Sequence, residues 1–570
     1  MFETAQWGQA SQAASSLAQM PARSAGGSPE LAALVRERQD LVVEWQVKDK
    51  LLIAARSEPP AKRNAAGENA IGDRLAAIND RLATIDARLA KDFPDYAALA
   101  SPKPIAVPDV QAVLREDEAL VLFLDTVEFK PLPEETFVWV VTSRDVRWLR
   151  SDLGAEALKR EVAALRCGLD ASSWESDGGK RCSDLLKLPI EKAPTGGHPL
   201  PFDVARAHAL YQSLFGEEAG LIRGKHLLVV PSGALTTLPF QVLVTKAPTS
   251  TDLASAAWMI RENAITVLPS VASLAALRRT ARPSTAPKPM IGFANPLLDG
   301  DQTDPKDGAW SQQQAQRARA ETGCAAAPSQ RTAALRAIRR NASPVSQPAG
   351  TANLAEIRMQ TPLPETADEV CEVARSIGAD AADMRIGARA TETEVKRLSD
   401  TGELATYRIL HFATHGLLAG QLSGAREPGL ILTPPETATP QDDGYLSGSE
   451  IAGLKLNADW VILSACNTAG GAGEGEAAEA LSGLARVFFY AGARALLVSH
   501  WEVDSDAAVK LVTGAVGALA KDRSFGRAEA IRRVMIAVMT DTTRPKNWVP
   551  ASHPSVWAPF VLVGEGGVGR

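Results

Sequence analysis

Two short stretches constrain this chain more than anything else in it: Tyr407 to Gly416 (YRILHFATHG) and Asp459 to Gly471 (DWVILSACNTAGG). Each is an apolar run of strand-forming residues that ends in a reactive side chain followed by small ones. In the first, Ile409, Leu410 and Phe412 lead to His415 and Gly416; in the second, Val461, Ile462 and Leu463 lead to Cys466. Short apolar runs bounded by turn residues predict buried strands. In an open parallel α/β sheet the ligand crevice lies outside the carboxyl ends of the strands, so neighbouring strands ending in His and Cys deliver both groups into it. That pairing suits thiol chemistry, with a thiolate as nucleophile and an imidazole as acid and base.

His415 precedes Cys466 by 51 residues, and Cys466 follows an alanine, features shared with caspases. Four blocks in order, HFATHG at 411–416, LSACNTAGG at 463–471, LSGLARVFFYAGARALLVSHWEVD at 481–504 and WAPFVLVG at 557–564, resemble the CHAT domain family. These are caspase-like peptidases related to separase and often carried behind TPR repeats. The likeness continues upstream through VVPSGALTTLPF at 229–240 and TVLPSVASLAALR at 266–278, and more weakly to the helical start.

The resemblance implies an α/β fold with a caspase-like, mostly parallel sheet flanked by helices, preceded by a non-catalytic pseudo-caspase unit. It implies a cysteine endopeptidase that cuts a protein substrate through a dyad of His415 and Cys466 and a covalent thioester, with no cofactor. The oxyanion hole would come from the N–H groups of Gly416 and Cys466, where glycine lets a substrate backbone approach closely. The segment Trp501, Glu502, Val503 and Asp504 resembles one that helps build the pocket for the residue before the cut, where Asp504 and Asp506 would favour a basic side chain. A second reading has Asp504 or Ser505 capping a helix over 506–520. No third triad member is evident in the sequence. The same fold would also serve a non-catalytic scaffold with a silent dyad.

The chain before this region divides into two parts. Ile71, Leu75, Ile78, Leu82, Ile85 and Leu89 recur at alternating steps of four and three, a coiled-coil stripe. Leu34, Leu41, Trp45 and Leu52 mark an earlier helix, and Pro59-Pro60 separates the two, so residues 1–100 predict an antiparallel helical hairpin. It is read as a brace on the α/β body, and alternatively as the docking arm for an activating or regulatory protein. Residues 101–285 alternate strand and helix patterns and form the expected pseudo-caspase unit. Residues 286–570 form the expected catalytic domain, opening on the strand Met290 to Asn295. A segment at about 297–353, rich in Gln, Ala, Arg, Ser and Pro, is expected to be a flexible insertion. Thr366 is expected to cap a following helix, and Thr391 with Glu394 to form a capping box. The runs 429–433 and 445–450 read as a hairpin walling the cleft.

Several other chemistries are excluded. His411 and His415 lie about 13 Å apart along an extended strand, too far to share one ion, so no metal site is assigned and His411 reads as a buried core histidine. Gly470 to Gly475 lacks the spacing and the lysine of a phosphate loop, and no GxSxG elbow occurs. A net charge of −6 gives no reason to expect nucleic-acid binding. No run predicts membrane insertion, and the lack of a leader-like start weighs toward the cytoplasm. The cysteines are Cys167, Cys182, Cys324, Cys371 and Cys466. In a reducing cytosol none would be bridged, which is the expectation; were four to pair, the odd one would be the nucleophile.

Overall fold

The computed structural model describes residues 1–7, 64–93, 104–175, 178–189, 198–280, 284–303, 308–324, 351–417, 427–439, 441–464, 491–501, 503–522, 524–545 and 548–567, with scattered residues of 30–55, 194, 421–425 and 484–489. Its strands fall where Val, Ile, Leu and Phe alternate or run together. They are β1 (Glu118–Asp125), β2 (Thr136–Thr142), β3 (Val146–Ser151), β4 (His226–Val230), β5 (Ile265–Val267), β6 (Lys288–Ala294), β7 (Met384–Ile386), β8 (Tyr407–Ala413), β9 (His415–Leu417), β10 (Gly429–Ile431), β11 (Tyr445–Ser447), β12 (Trp460–Leu463), β13 (Ala495–Ser499) and β14 (Phe560–Gly564). The helices that matter for the site are α1 (Ala65–Asp92), α2 (Ala155–Cys167), α3 (Val204–Phe215), α4 (Glu365–Ser376), α5 (Glu392–Asp400), α6 (Ser505–Lys521) and α7 (Arg527–Met539).

Eleven strands form one sheet in the order β3-β2-β1-β4-β5-β14-β13-β12-β8-β6-β7. From β1 through β7 the pairings are parallel except where β14 meets β13. The fold is thus α/β with a large, mostly parallel sheet. Strands from residues 101–285 and from 286–570 share it, joined where Val563 of β14 pairs with Val267 of β5. Near this seam the half-buried Arg278 holds Glu118 of β1 at 2.6 Å and Glu565, just past β14, at 3.2 Å.

Alternation along the strands builds two cores. Val121, Phe123, Ile462 and Leu497 face one layer, with Leu158 of α2, Leu210 of α3, Val370 of α4, Leu511 of α6 and Val534 of α7. Leu120, Leu122, Val461, Leu463 and Leu496 face the other, with Val395 and Leu398 of α5. A sheet buried on both faces needs near-continuous apolar strands, which is why these runs carry so few polar residues.

Among the described residues, side chains of 30–55 pack along α1. Arg38 pairs with Asp86, Glu37 with Arg81 and Glu44 with Arg74, each at 2.6 Å. From Glu30–Arg88 through Glu37–Arg81 to Glu44–Arg74, residue numbers fall on α1 as they rise on the earlier segment, so the two run antiparallel. Leu34, Ile85 and Leu89 bury between them. These exposed ion pairs set register more than stability.

Four expectations are corrected. The insertion is not flexible throughout: Gly308–Ala320 is a helix whose Ala315 and Ala318 are buried, and Asn295 donates to the carbonyl of Ala318. Alanine-rich composition, read as linker, here supplies a helix with a close-packing face. Second, Thr366 does not cap: α4 starts at Glu365 after Pro364, and the Thr366 hydroxyl donates to the carbonyl of Leu363 and accepts from the N–H of Asn295. Third, four cysteines are paired, Cys167 with Cys182 and Cys324 with Cys371. Their partners come together only through the tertiary fold, which cysteine spacing does not reveal. Thr391 caps α5 as expected, while Glu394 pairs with Arg385 and Arg397 and does not close the box.

Candidate active site

Strands β8 and β12 are parallel neighbours, with Phe412 opposite Leu463. His415 and Cys466 each stand three residues beyond a member of that pair. The chain therefore leaves both strands at the same edge of the sheet, the edge outside which a ligand crevice lies in such folds. Cys466 itself, with Gly470 to Gly475, lies outside the described residues, as does Glu502.

After Ala413 the chain bends at Thr414 and His415 begins β9, which leaves the large sheet for a three-stranded one. There His415 pairs opposite Ile431 and Gly416 opposite Leu430, and β10 pairs with β11. The expected hairpin is therefore present, and it carries the histidine strand as its third member. Gly429 makes the approach of β10 and β11 possible: a Cβ there would lie 2.6 Å from the carbonyl oxygen of Leu446 and 2.7 Å from the Tyr445 ring. Helix α5 anchors the hairpin turn. Glu392 accepts from the N–H groups of Asp443 and Gly444, each at 3.0 Å, and Lys396 bridges Glu392 and Glu450. Burial, then the Glu450 carboxylate, pushes Glu392 up to about 9.

The imidazole of His415 is fully buried, and its Nε2 lies 2.7 Å from the carbonyl oxygen of Thr361. A carbonyl only accepts, so Nε2 carries the hydrogen. In the neutral ring Nδ1 is then the nitrogen with the free electron pair, the one fitted to take or give a proton. Thr361 is the orienting group that sequence reasoning missed; because the contact is a backbone carbonyl, no residue type signals it.

His411 is a core histidine, as expected. Its Nε2 lies 3.0 Å from Glu369 Oε1 and 3.0 Å from Ser464 Oγ, and all three side chains are fully buried. This is not a serine triad. In such a triad the hydroxyl and the acid sit on opposite ring nitrogens, whereas here both sit on Nε2 and no substrate reaches the serine. Among the described residues no cluster of His, Cys, Asp and Glu is fit to hold a metal ion.

Of the expected pocket, Trp501 is buried, with its indole N–H on the carbonyl of Ser555. Asp504 caps α6 by accepting from the N–H of Ala507. The charges of Asp504 and Asp506 are met from within the chain. Arg544 lies 3.2 Å from Asp504 and 3.5 Å from Asp506, and Lys510 lies 2.9 Å from Asp506. Arg544 has a side chain only 6% exposed and stacks on Trp548. No helix among the described residues is long and apolar enough to cross a membrane.

No curated protein matches this sequence. Among solved structures it is similar to Saccharomyces cerevisiae separase in a separase–securin complex, at 10% identity and a TM-score of 0.40, over 93% of this chain and 38% of that one. A second structure of that complex matches at 9% identity and a TM-score of 0.37, over 92% of this chain and 37% of the other. The chain thus spans well under two thirds of the separase chains it matches. The CHAT domain model matches residues 204–565, well over half of the 570 residues, and the chain belongs to the CHAT domain family.

Proposed function

We propose that this chain is a cysteine endopeptidase that cuts a protein substrate through His415 and Cys466. The observation that carries this reading is the orientation of His415: with Nε2–H committed to Thr361, the ring presents Nδ1 as its base. Two further observations support it. Cys466 follows the strand next to the one that delivers His415, and the other four cysteines are joined to each other, leaving Cys466 no cysteine of this chain to bridge.

In this reading the Cys466 thiolate attacks the scissile carbonyl, and the resulting oxyanion is held by the N–H groups of Gly416 and Cys466. His415 Nδ1, having taken the Cys466 thiol proton when the thiolate formed, gives that proton to the departing amine. It then takes a proton from the water that hydrolyses the thioester. Full burial of His415 argues that the site opens before it turns over, in keeping with a protease switched on by a partner docking on the helical hairpin. The same burial favours the second reading, a caspase-fold scaffold in which the dyad is silent.

Labelling by a peptidyl thiol-reactive probe separates the two. Probes carrying Arg or Asp before the warhead would be compared on the wild type, Cys466→Ala and His415→Ala. Labelling that requires Cys466 and weakens without His415 is expected of the peptidase. A folded protein that no probe labels, with or without candidate activators, belongs to the scaffold.

A further inference from the structure

We propose that His411 is a positioning residue for the cysteine of this site, acting through Ser464, and that helix α4 is the common support of both members of the dyad. The proposal rests on the peptidase reading above.

Three contacts carry it. The loop entering α4 supplies the Thr361 carbonyl that orients His415. Within the helix, Glu369 holds His411 of β8 at 3.0 Å, and the same Nε2 reaches the hydroxyl of Ser464 at 3.0 Å. Ser464 is the first residue past β12 and stands two before Cys466. Fixing its side chain therefore limits where the cysteine can be presented. The helix is itself immobilised at both ends of this arrangement: Thr366 is bonded to Leu363 and Asn295, and Cys371 is joined to Cys324.

Glu369, His411 and Ser464 are buried on the sheet face that α4 covers, where Ile462 of β12 stands opposite His411 and Val370 of α4 joins the apolar core. A buried carboxylate and imidazole carry a desolvation cost that well-packed apolar side chains of the same volume would avoid. What the hydrogen-bonded chain adds is direction, since hydrogen bonds set angle and register where apolar contacts permit sliding. Strand ends that must meet within hydrogen-bond reach need that, because a displacement of about 1 Å at a reacting group costs on the order of a hundredfold in rate.

The test reads Cys466 directly. With both disulfides intact, iodoacetamide has one cysteine to alkylate, and the pH dependence of its rate reports the thiolate. A cysteine set beside His415 alkylates with a midpoint below the ordinary thiol value of about 8.5. Ser464→Ala and His411→Phe are expected to raise that midpoint toward 8.5 and to slow peptidyl-probe labelling about tenfold or more. His411→Gln, which keeps a donor near Nε2, should recover most of both. Ser464→Ala removes a single oxygen, so it remains informative if His411→Phe does not fold. An unchanged midpoint in folded Ser464→Ala and His411→Phe overturns the proposal, including the case where only the melting temperature falls. A wild-type midpoint at the ordinary thiol value both with and without candidate activators overturns the peptidase reading and this inference with it.

Discussion

Thr361 and His415 meet through a backbone carbonyl 2.7 Å from Nε2, so the tautomer of the histidine is set by a residue whose side chain plays no part in that contact. Nitrogen-15 NMR of the histidine rings should show the neutral form of His415 with its hydrogen on Nε2. Thr361→Ala keeps the carbonyl and should retain most probe labelling, whereas His415→Ala should lose it by roughly a hundredfold or more. Equal losses in the two variants would mean that the Thr361 side chain, and not its carbonyl, matters.

The strands around this pair were legible because each is a run of Val, Ile, Leu and Phe with turn residues at its ends, as in β8 and β12. The histidine and cysteine stood out for the same reason, being reactive groups placed just after such runs. The rest of the site left no local trace. Glu369 lies in a helix reading ETADEVCEVARS, where an acid is ordinarily solvated, and only tertiary packing buries it. The pairing of Val267 with Val563 joins residues almost 300 apart in sequence, so continuity of the sheet follows from topology and not from either strand's pattern. The fate of Asp504 turned on Arg544, 40 residues away.

The two disulfides should be chemically demonstrable. Unreduced, denatured protein is expected to take up one iodoacetamide, and fully reduced protein five, one for each cysteine. In the chain-entropy view, the bridge spanning 47 residues contributes about 4 kcal/mol and the one spanning 15 about 3 kcal/mol. Reduction should therefore lower the urea midpoint clearly. Five labels without reduction would place the chain among proteins kept reduced in the cytoplasm.

Glu118 makes stability depend on acid. Burial raises its pKa, but His226 and Arg278 outweigh that and bring it from 4.5 down to about 2. The folded state thus binds this proton less readily than the unfolded one. The contribution, about 3 kcal/mol, is fully present above pH 4.5 and is lost as pH falls toward 2. Glu118→Gln should be less stable at pH 7, and its deficit should shrink on acidification below pH 4.5. A deficit independent of pH would point to packing alone.

Gly429 tests whether the small sheet supports the histidine. A methyl group at 2.6 Å from the Leu446 carbonyl cannot be accommodated without moving β10 or β11, a strain of about 1–3 kcal/mol. Since β10 is the strand paired with His415, Gly429→Ala should slow Cys466-dependent probe labelling with a smaller effect on global stability. Unaltered labelling would show that the β9 pairing leaves His415 in place by other contacts.

In the proposed peptidase, Arg544 limits what the acidic pair at the start of α6 could recognise. Asp504 and Asp506 attract a basic substrate residue only to the extent that their charge is uncommitted, and Arg544 and Lys510 already occupy them. Wild-type protein should therefore prefer an Arg probe over a neutral one only weakly. Arg544→Met removes the competing guanidinium while keeping an apolar stem against Trp548, and should raise the Arg preference several-fold. It also leaves a half-buried carboxylate pair with one cation fewer, so some loss of stability is expected, and it should be largest at low ionic strength, where like-charge repulsion is least screened. A preference unchanged by Arg544→Met, in a variant that still folds, would assign Asp504 to capping α6 and place recognition of the residue before the cut elsewhere on the cleft wall.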